Sequence, residues 1–245
     1  RKTVKEGHSI TSDIQIPVIA ITPSGWAKSK IAKITYDNSN IISPEYYFYS
    51  TITGEVDNMV SSCGTNYHSP DSCSGTTNTI VSGTWYKTNS SEINITTNIN
   101  GTVMAMTKDG NNYKSSAQAV ITMIDNIPPT IDTVIASNEW GTIEKITVTG
   151  TDDGSGIAGY MLTKTPETPK EDASGWQESN EFEVNENTIW YAWAKDALGN
   201  ISTYKTVTNS HICLGIWDVS KNQDETVHGI LKLDGTFLVT GEGDT

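Results

Sequence analysis

Two short clusters of oxygen-bearing side chains are the first residues in this sequence with the makings of a site. Thr151-Asp152-Asp153-Gly154-Ser155-Gly156 carries adjacent carboxylates, and Lys195-Asp196-Ala197-Leu198-Gly199-Asn200 carries a carboxylate and an amide. Oxygen donors of this kind suit a hard cation such as calcium, which takes about six to eight of them. Asp and Asn have a second use: they start turns by hydrogen-bonding their own backbone two residues on. The sequence does not supply a ligand count, so the turn reading leads. Asp152, Asp153, Asp196 and Asn200 stand as calcium candidates behind it, and Asp37 with Asp109 form a weaker pair. Catalysis has less to build on. His8, His68, His211 and His228 are scattered, and no G-x-S-x-G elbow, P-loop or G-x-G-x-x-G accompanies them. A glycosidase pair cannot be chosen among 29 acids without geometry. No enzyme and no cofactor is expected.

Whether the acidic clusters meet depends on the elements that carry them. The 245 residues include 34 Thr, 27 Ile and 14 Val against 6 Leu. Branching at Cβ restricts rotamers in a helix and packs well on a pleated sheet, so the chain is expected to be all-β. An internal repeat follows. Ile16-Pro17-Val18-Ile19 leads to Trp26, and Pro128-Pro129-Thr130-Ile131 leads to Trp140. Each is followed by an alternating stretch, Lys30 to Asp37 and Glu144 to Asp152, which reads as a half-buried strand entering a loop. Near the ends, Thr102 to Gly110 aligns with Ile189 to Asp196 and its turn. Pro17 to Trp85 spans 68 residues but Pro129 to Trp176 only 47, so the first copy carries an insertion, placed around Cys63 and Cys73.

Short strands at this spacing predict two tandem immunoglobulin-like Greek-key β-sandwiches plus a small C-terminal β-hairpin segment. The expected divisions are 1–15 as a leader or linker, 16–126 and 127–210 as the sandwiches, and 211–245 as the small segment turning at Asp234-Gly235. Paired prolines at Pro128-Pro129 fix φ and predict a semi-rigid connection. In such a sandwich the loops holding Asp152 and Asp196 lie at one end.

Aromatic side chains are the other candidates for binding. In Tyr46-Tyr47-Phe48-Tyr49, alternate residues face opposite ways, and Tyr191-Ala192-Trp193 behaves similarly. One face belongs to the core. Tyr47, Tyr49, Tyr191 and Trp193 on the other would be able to stack on sugar rings or a partner's apolar patch. Ordinary packing is the stronger reading, since aromatics favour strands anyway. A net charge of −13 repels phosphate backbones and anionic headgroups, so nucleic acid is not an expected partner. No apolar run reaches the roughly 18–20 residues of a membrane helix, so no membrane insertion is expected in this segment.

Thr151 to Ile157, followed by Ala194-Lys195-Asp196-Ala197-Leu198-Gly199-Asn200-Ile201-Ser202, resembles the immunoglobulin-like repeats of large Gram-positive bacterial surface proteins. The first copy departs from that motif, with Asp37-Asn38-Ser39-Asn40 and Lys108-Asp109-Gly110-Asn111-Asn112. Residues 217–243, with Trp217-Asp218-Val219-Ser220 and Leu233 to Gly243, resemble the short β segment that precedes surface leucine-rich repeats. The resemblance implies a secreted or wall-attached protein, a stalk or adhesin, excised here from something longer. In an exported protein Cys63 and Cys73 read as a disulfide stapling the inserted loop; free thiols or a metal site are the alternatives. Cys213 reads as a buried small hydrophobe or the partner of a cysteine elsewhere. The expected function is a non-catalytic, monomeric spacer and adhesin. The alternative is a module binding carbohydrate or host extracellular protein, accessory to a glycan-degrading enzyme.

Overall fold

The computed structural model describes residues 16–37, 43–109, 114–222 and 225–244, and every regular element in them is a β-strand. The expected leader 1–15 and the turns at 38–40 and 110–112 lie outside the described residues. The chain divides into two compact units, Arg1–Asn126 and Ile127–Thr245.

In the first unit, β1 (Val18–Thr22), β2 (Lys30–Thr35) and β7 (Glu92–Thr97) form one layer. The other layer is β6 (Thr84–Thr88), β3 (Glu45–Ser50), β8 (Gly101–Lys108) and β9 (Lys114–Ile121). The period-2 pattern of β2 explains its seat: Ala32 and Ile34 point into the core while Ile31, Lys33 and Thr35 face out. Ile34, Ile93 and Ile95 from one layer pack with Phe48, Tyr86, Val103 and Ala105 from the other. The extra chain of this copy is more than a loop. It is a hairpin, β4 (Gly54–Ser62) and β5 (Ser74–Ile80). Its first strand pairs with β7 through Glu55 and Val56 and with β6 through Ser61 and Ser62. One inserted strand therefore stitches both layers together along their backbone edges.

The second unit repeats the plan without the stitch. β10 (Thr130–Ala136), β11 (Glu144–Thr151) and β13 (Glu181–Val184) form one sheet. β12 (Ile157–Thr163), β14 (Ile189–Asp196) and β15 (Lys205–Thr208) form the other. Ile131, Ile146, Val148 and Val184 meet Ala192 and Ala194 between them. A three-stranded antiparallel sheet of β16 (Cys213–Asn222), β17 (Glu225–Lys232) and β18 (Phe237–Asp244) completes this unit. Its second turn closes at Asp234-Gly235, where Gly235 takes φ +83° and Asp234 Oδ1 accepts from the Thr236 amide at 2.9 Å. Only glycine adopts that φ without a steric cost.

Candidate functional site

The two acidic loops at the end of the second sandwich do come together. Asp152 and Asp196 each present a carboxylate oxygen within 4.8 Å of the other. Asp152 Oδ2 accepts from the amides of Gly154 (3.1 Å) and Gly156 (2.7 Å). Asp196 is buried; its Oδ1 accepts from the amides of Leu198 (2.9 Å) and Asn200 (2.8 Å), and its Oδ2 from Asn200 Nδ2 (2.7 Å). Asp153 is exposed. These bonds cap both turns, and a cation at this place would share the two carboxylates with the backbone N–H groups they already accept. In the first unit Asp109 is buried at the end of β8.

The aromatic strands present a different picture from a free binding face. Tyr46 and Phe48 point into the first core, and Tyr47 and Tyr49 point outward, as the alternation requires. The outward side is roofed. Cys63 and Cys73 form a disulfide across the end of the β4–β5 hairpin, and the loop they close folds back over the sheet. The Cys63 amide donates to Trp85 O (2.8 Å), the Trp85 amide to Gly64 O (2.9 Å) and Trp85 Nε1 to Asn66 O (2.9 Å). Tyr47, Cys63, Trp85 and Met106 thus make a second small core, which leaves Tyr47 only 6% exposed and Tyr49 half-buried. The ammonium groups of Lys87 and Lys108 lie 5.6 and 5.5 Å from the Tyr47 ring centroid. Burial pushes its hydroxyl pKa up, while the Lys87 hydrogen bond holds the Glu45 carboxyl below the usual carboxylate range. What the loop does expose is Tyr67 (54%), set edge-on against Tyr49 with centroids 5.3 Å apart.

The second unit roofs the same face by other means. Residues 164–177 run over the outer side of β12 and β14, joined by reciprocal backbone bonds between Tyr160 and Gln177 (2.8 and 3.0 Å). Lys195 Nζ donates to Glu171 O (2.7 Å) and lies 5.0 Å from the Trp176 ring centroid, and Trp176 Nε1 donates to Lys170 O (2.9 Å). The roof passes so close to the Asp196 turn that a Cβ on Gly199, already at φ +79°, would overlap the Glu171 carboxyl. Trp193 is consequently 2% exposed, its Nε1 donating to Thr163 Oγ1 (2.9 Å), and Tyr191 is half-buried. The roof ends in an open groove of about 560 Å³, where Tyr204 stands edge-on to both Tyr191 (5.0 Å) and Trp193 (5.3 Å). Tyr204 was not a candidate from the sequence, because it flanks a four-residue strand, β15, with no alternation around it.

A second feature that sequence reasoning missed occurs twice. After Trp26, the Ala27 amide donates to Met123 O (3.0 Å), and Ala27 O accepts from the Asp125 amide (3.1 Å). Between them, the Ile124 amide donates to Asn100 Oδ1 (2.9 Å) and Asn100 Nδ2 donates to Ile124 O (3.1 Å). In the second unit, after Trp140, the Gly141 amide donates to His211 O (3.1 Å), and Gly141 O accepts from the Cys213 amide (2.8 Å). The Ile212 amide donates to Asn187 Oδ1 (2.9 Å) and Asn187 Nδ2 donates to Ile212 O (3.0 Å). Each sandwich therefore clasps its own departing chain with a parallel bridge and one asparagine side chain that satisfies both backbone groups of an isoleucine. Both isoleucines are buried, so the asparagine takes the place that water cannot.

No protein-family model and no curated protein matches the chain. Among solved structures it is similar to the fibronectin(III)-like modules of CbhA from Clostridium thermocellum, at 14% identity over 80% of this chain and 93% of that one, with a TM-score of 0.28. It is similar to the adhesin InvE of Yersinia pseudotuberculosis at 13% identity, covering 87% of this chain and 66% of that one, with a TM-score of 0.26. A DUF4466 family protein from Parabacteroides merdae is similar at 8% identity over 92% and 97% of the two chains, with a TM-score of 0.29. At these scores no residue role passes from those proteins to this one.

Proposed function

We propose that this chain is a non-catalytic segment of an extracellular bacterial surface protein and serves as a semi-rigid spacer. The repeated clasp carries this reading. A pull on the chain leaving either sandwich loads the outer bonds of Asp125 to Ala27 or Cys213 to Gly141 and then the Asn100–Ile124 or Asn187–Ile212 pair behind them. A module whose only task is to present a loop has no need to fix its exit twice over in the same way. The Cys63–Cys73 disulfide fits an oxidising compartment, and among the described residues no helix is long and apolar enough to cross a membrane. The test is single-molecule extension of the full chain held by its two ends. Asn100→Ala is expected to lower the unfolding force of the first unit alone, and Asn187→Ala that of the second. Forces unchanged by both substitutions would remove the tension-bearing role.

One observation favours adhesion as a second reading. Tyr67 is the exposed ring on a loop that the disulfide and Trp85 both hold in place. Binding residues often sit on loops carried by a rigid scaffold. A host extracellular protein bound here would lose affinity in Tyr67→Ala while the fold is kept; retained affinity would exclude the loop.

A further inference from the structure

We infer that the groove beside Tyr204 is a binding subsite for a neutral carbohydrate, a reading that does not depend on the spacer role. Its volume of about 560 Å³ lies within the range of about 300–1,000 Å³ usual for small-molecule sites. None of the residues lining it carries a charge, in a chain of net charge −13. An anionic ligand finds no cation there, and a cationic one no carboxylate.

What the groove offers instead is one aromatic wall and a hydroxyl rim. Tyr204 is 43% exposed, yet its ring is fixed by edge contacts to Tyr191 and Trp193. An aromatic face held in place before binding loses little rotamer freedom when a ligand arrives. Pro166 supplies further apolar surface. Around it stand the exposed hydroxyls of Thr130 and Thr203. Ser202 is buried, and its Oγ accepts the Ala194 amide at 2.9 Å, which holds in place the backbone that carries Thr203 and Tyr204. A pyranose ring combines an apolar C–H face, suited to stacking on Tyr204, with equatorial hydroxyls suited to this rim. A proline-rich peptide would use the aromatic wall, but its carbonyls only accept, whereas a pyranose both donates to and accepts from the rim hydroxyls.

The test is a titration of the isotope-labelled full chain, followed by backbone amide shifts, with three neutral probes: cellohexaose, mannohexaose and xylohexaose. Hexagalacturonate and decaproline serve as the anionic and peptide comparisons. A neutral hexasaccharide is expected to produce saturable shifts at Thr130, Ser202, Thr203 and Tyr204. Tyr204→Ala should weaken that binding about tenfold or more, whereas Tyr204→Phe, which keeps the ring, should stay within about threefold. Tyr67→Ala should leave it unchanged, which separates this groove from adhesion through the stapled loop. The inference is overturned if no neutral probe shifts those amides, if only hexagalacturonate or decaproline does, or if Tyr204→Ala binds as tightly as the parent.

Discussion

Replacing Asn187 with alanine should release the chain that leaves the second sandwich, and the size of the effect follows from two hydrogen bonds. Asn187 meets the Ile212 amide at 2.9 Å and the Ile212 carbonyl at 3.0 Å, and Ile212 is buried. A buried backbone group left without a partner costs about 1–3 kcal/mol. Losing both partners should therefore cost about 2–6 kcal/mol in a dry site, and about 2–4 kcal/mol once water enters the space. Asn187→Asp is the sharper variant, because it keeps the acceptor for the Ile212 amide and sets a carboxylate oxygen against the Ile212 carbonyl. It should cost about 1–3 kcal/mol although almost no atoms are removed. The assay is amide hydrogen exchange on the full chain, read at Ile212 and Ile124 together. A loss of about 2–4 kcal/mol corresponds to roughly 30- to 1,000-fold less protection. Ile212 should lose protection in the Asn187 variants with Ile124 unaffected, and Asn100→Ala should do the reverse. Protection at Ile212 unchanged within about threefold in Asn187→Ala, or equal losses at both isoleucines in either variant, would refute the argument that each clasp closes its own sandwich.

Other consequences are smaller in scope. Replacing Cys63 and Cys73 together with alanine opens a loop of sequence separation 10 and should cost the first unit about 2–3 kcal/mol, seen by calorimetry as a fall in its transition with the second unit's unmoved. Asp196→Ala strips partners from the Leu198 and Asn200 amides and should cost about 2–4 kcal/mol; an equal loss with calcium and with chelator identifies a turn, and a loss seen only with calcium identifies a cation site. Lys87 lowers the Glu45 pKa in the folded state, so this pair's stabilisation is present above the unfolded carboxyl value near 4.5 and is lost as pH falls through the lower folded value. Both side chains are more than about a third or nearly a third exposed, so Lys87→Met should reduce the acid sensitivity of the first unit by no more than about 0.5–1 kcal/mol, measured by denaturation between neutral and acid pH. Trp176→Ala removes an anchor of the roof over β14 and should raise the exchange rate of the Trp193 indole N–H about tenfold or more, with the Trp85 indole as the unchanged reference.

The strands were legible because their information is local. In β2 and β11 the alternation of apolar and polar residues states which side is buried, and Ile34 and Ile146 sit in their cores as that pattern requires. The outer roofs were not legible, because a period of two says that Tyr47 and Trp193 face away from the main core but not that chain from elsewhere will cover them. Asn100 and Asn187 were invisible for a related reason. Each acts on an isoleucine 24 or 25 residues further on, and nothing in the residues around it distinguishes it from the other asparagines of an Asn-rich chain. The acidic loops were half legible: their meeting follows from the sandwich, while the number of N–H groups already bound to Asp196 had to be seen.

The two roofs also explain why outward aromatics persist in both units. A β-sandwich buries one face of each sheet, and an outer face bearing Tyr47, Trp85 and Met106, or Met161 and Trp193, would be a contiguous apolar patch open to chance association. Covering it needs chain, and ordering chain costs about 1–2 kcal/mol per residue in backbone entropy. The first unit meets that cost with a disulfide, which restricts the loop before folding, and with the extra strand pairing of β4. The second has no cysteine in residues 164–177 and relies on the Trp176–Lys195 contact, the Tyr160–Gln177 bridge and the close pass over Gly199. Its roof is the one that stops short and leaves Tyr204 at an open edge. If binding chemistry lies on this chain's outer faces, its place is the margin of the weaker roof and the tip of the stapled one, because the strands bearing Tyr47 and Trp193 are covered.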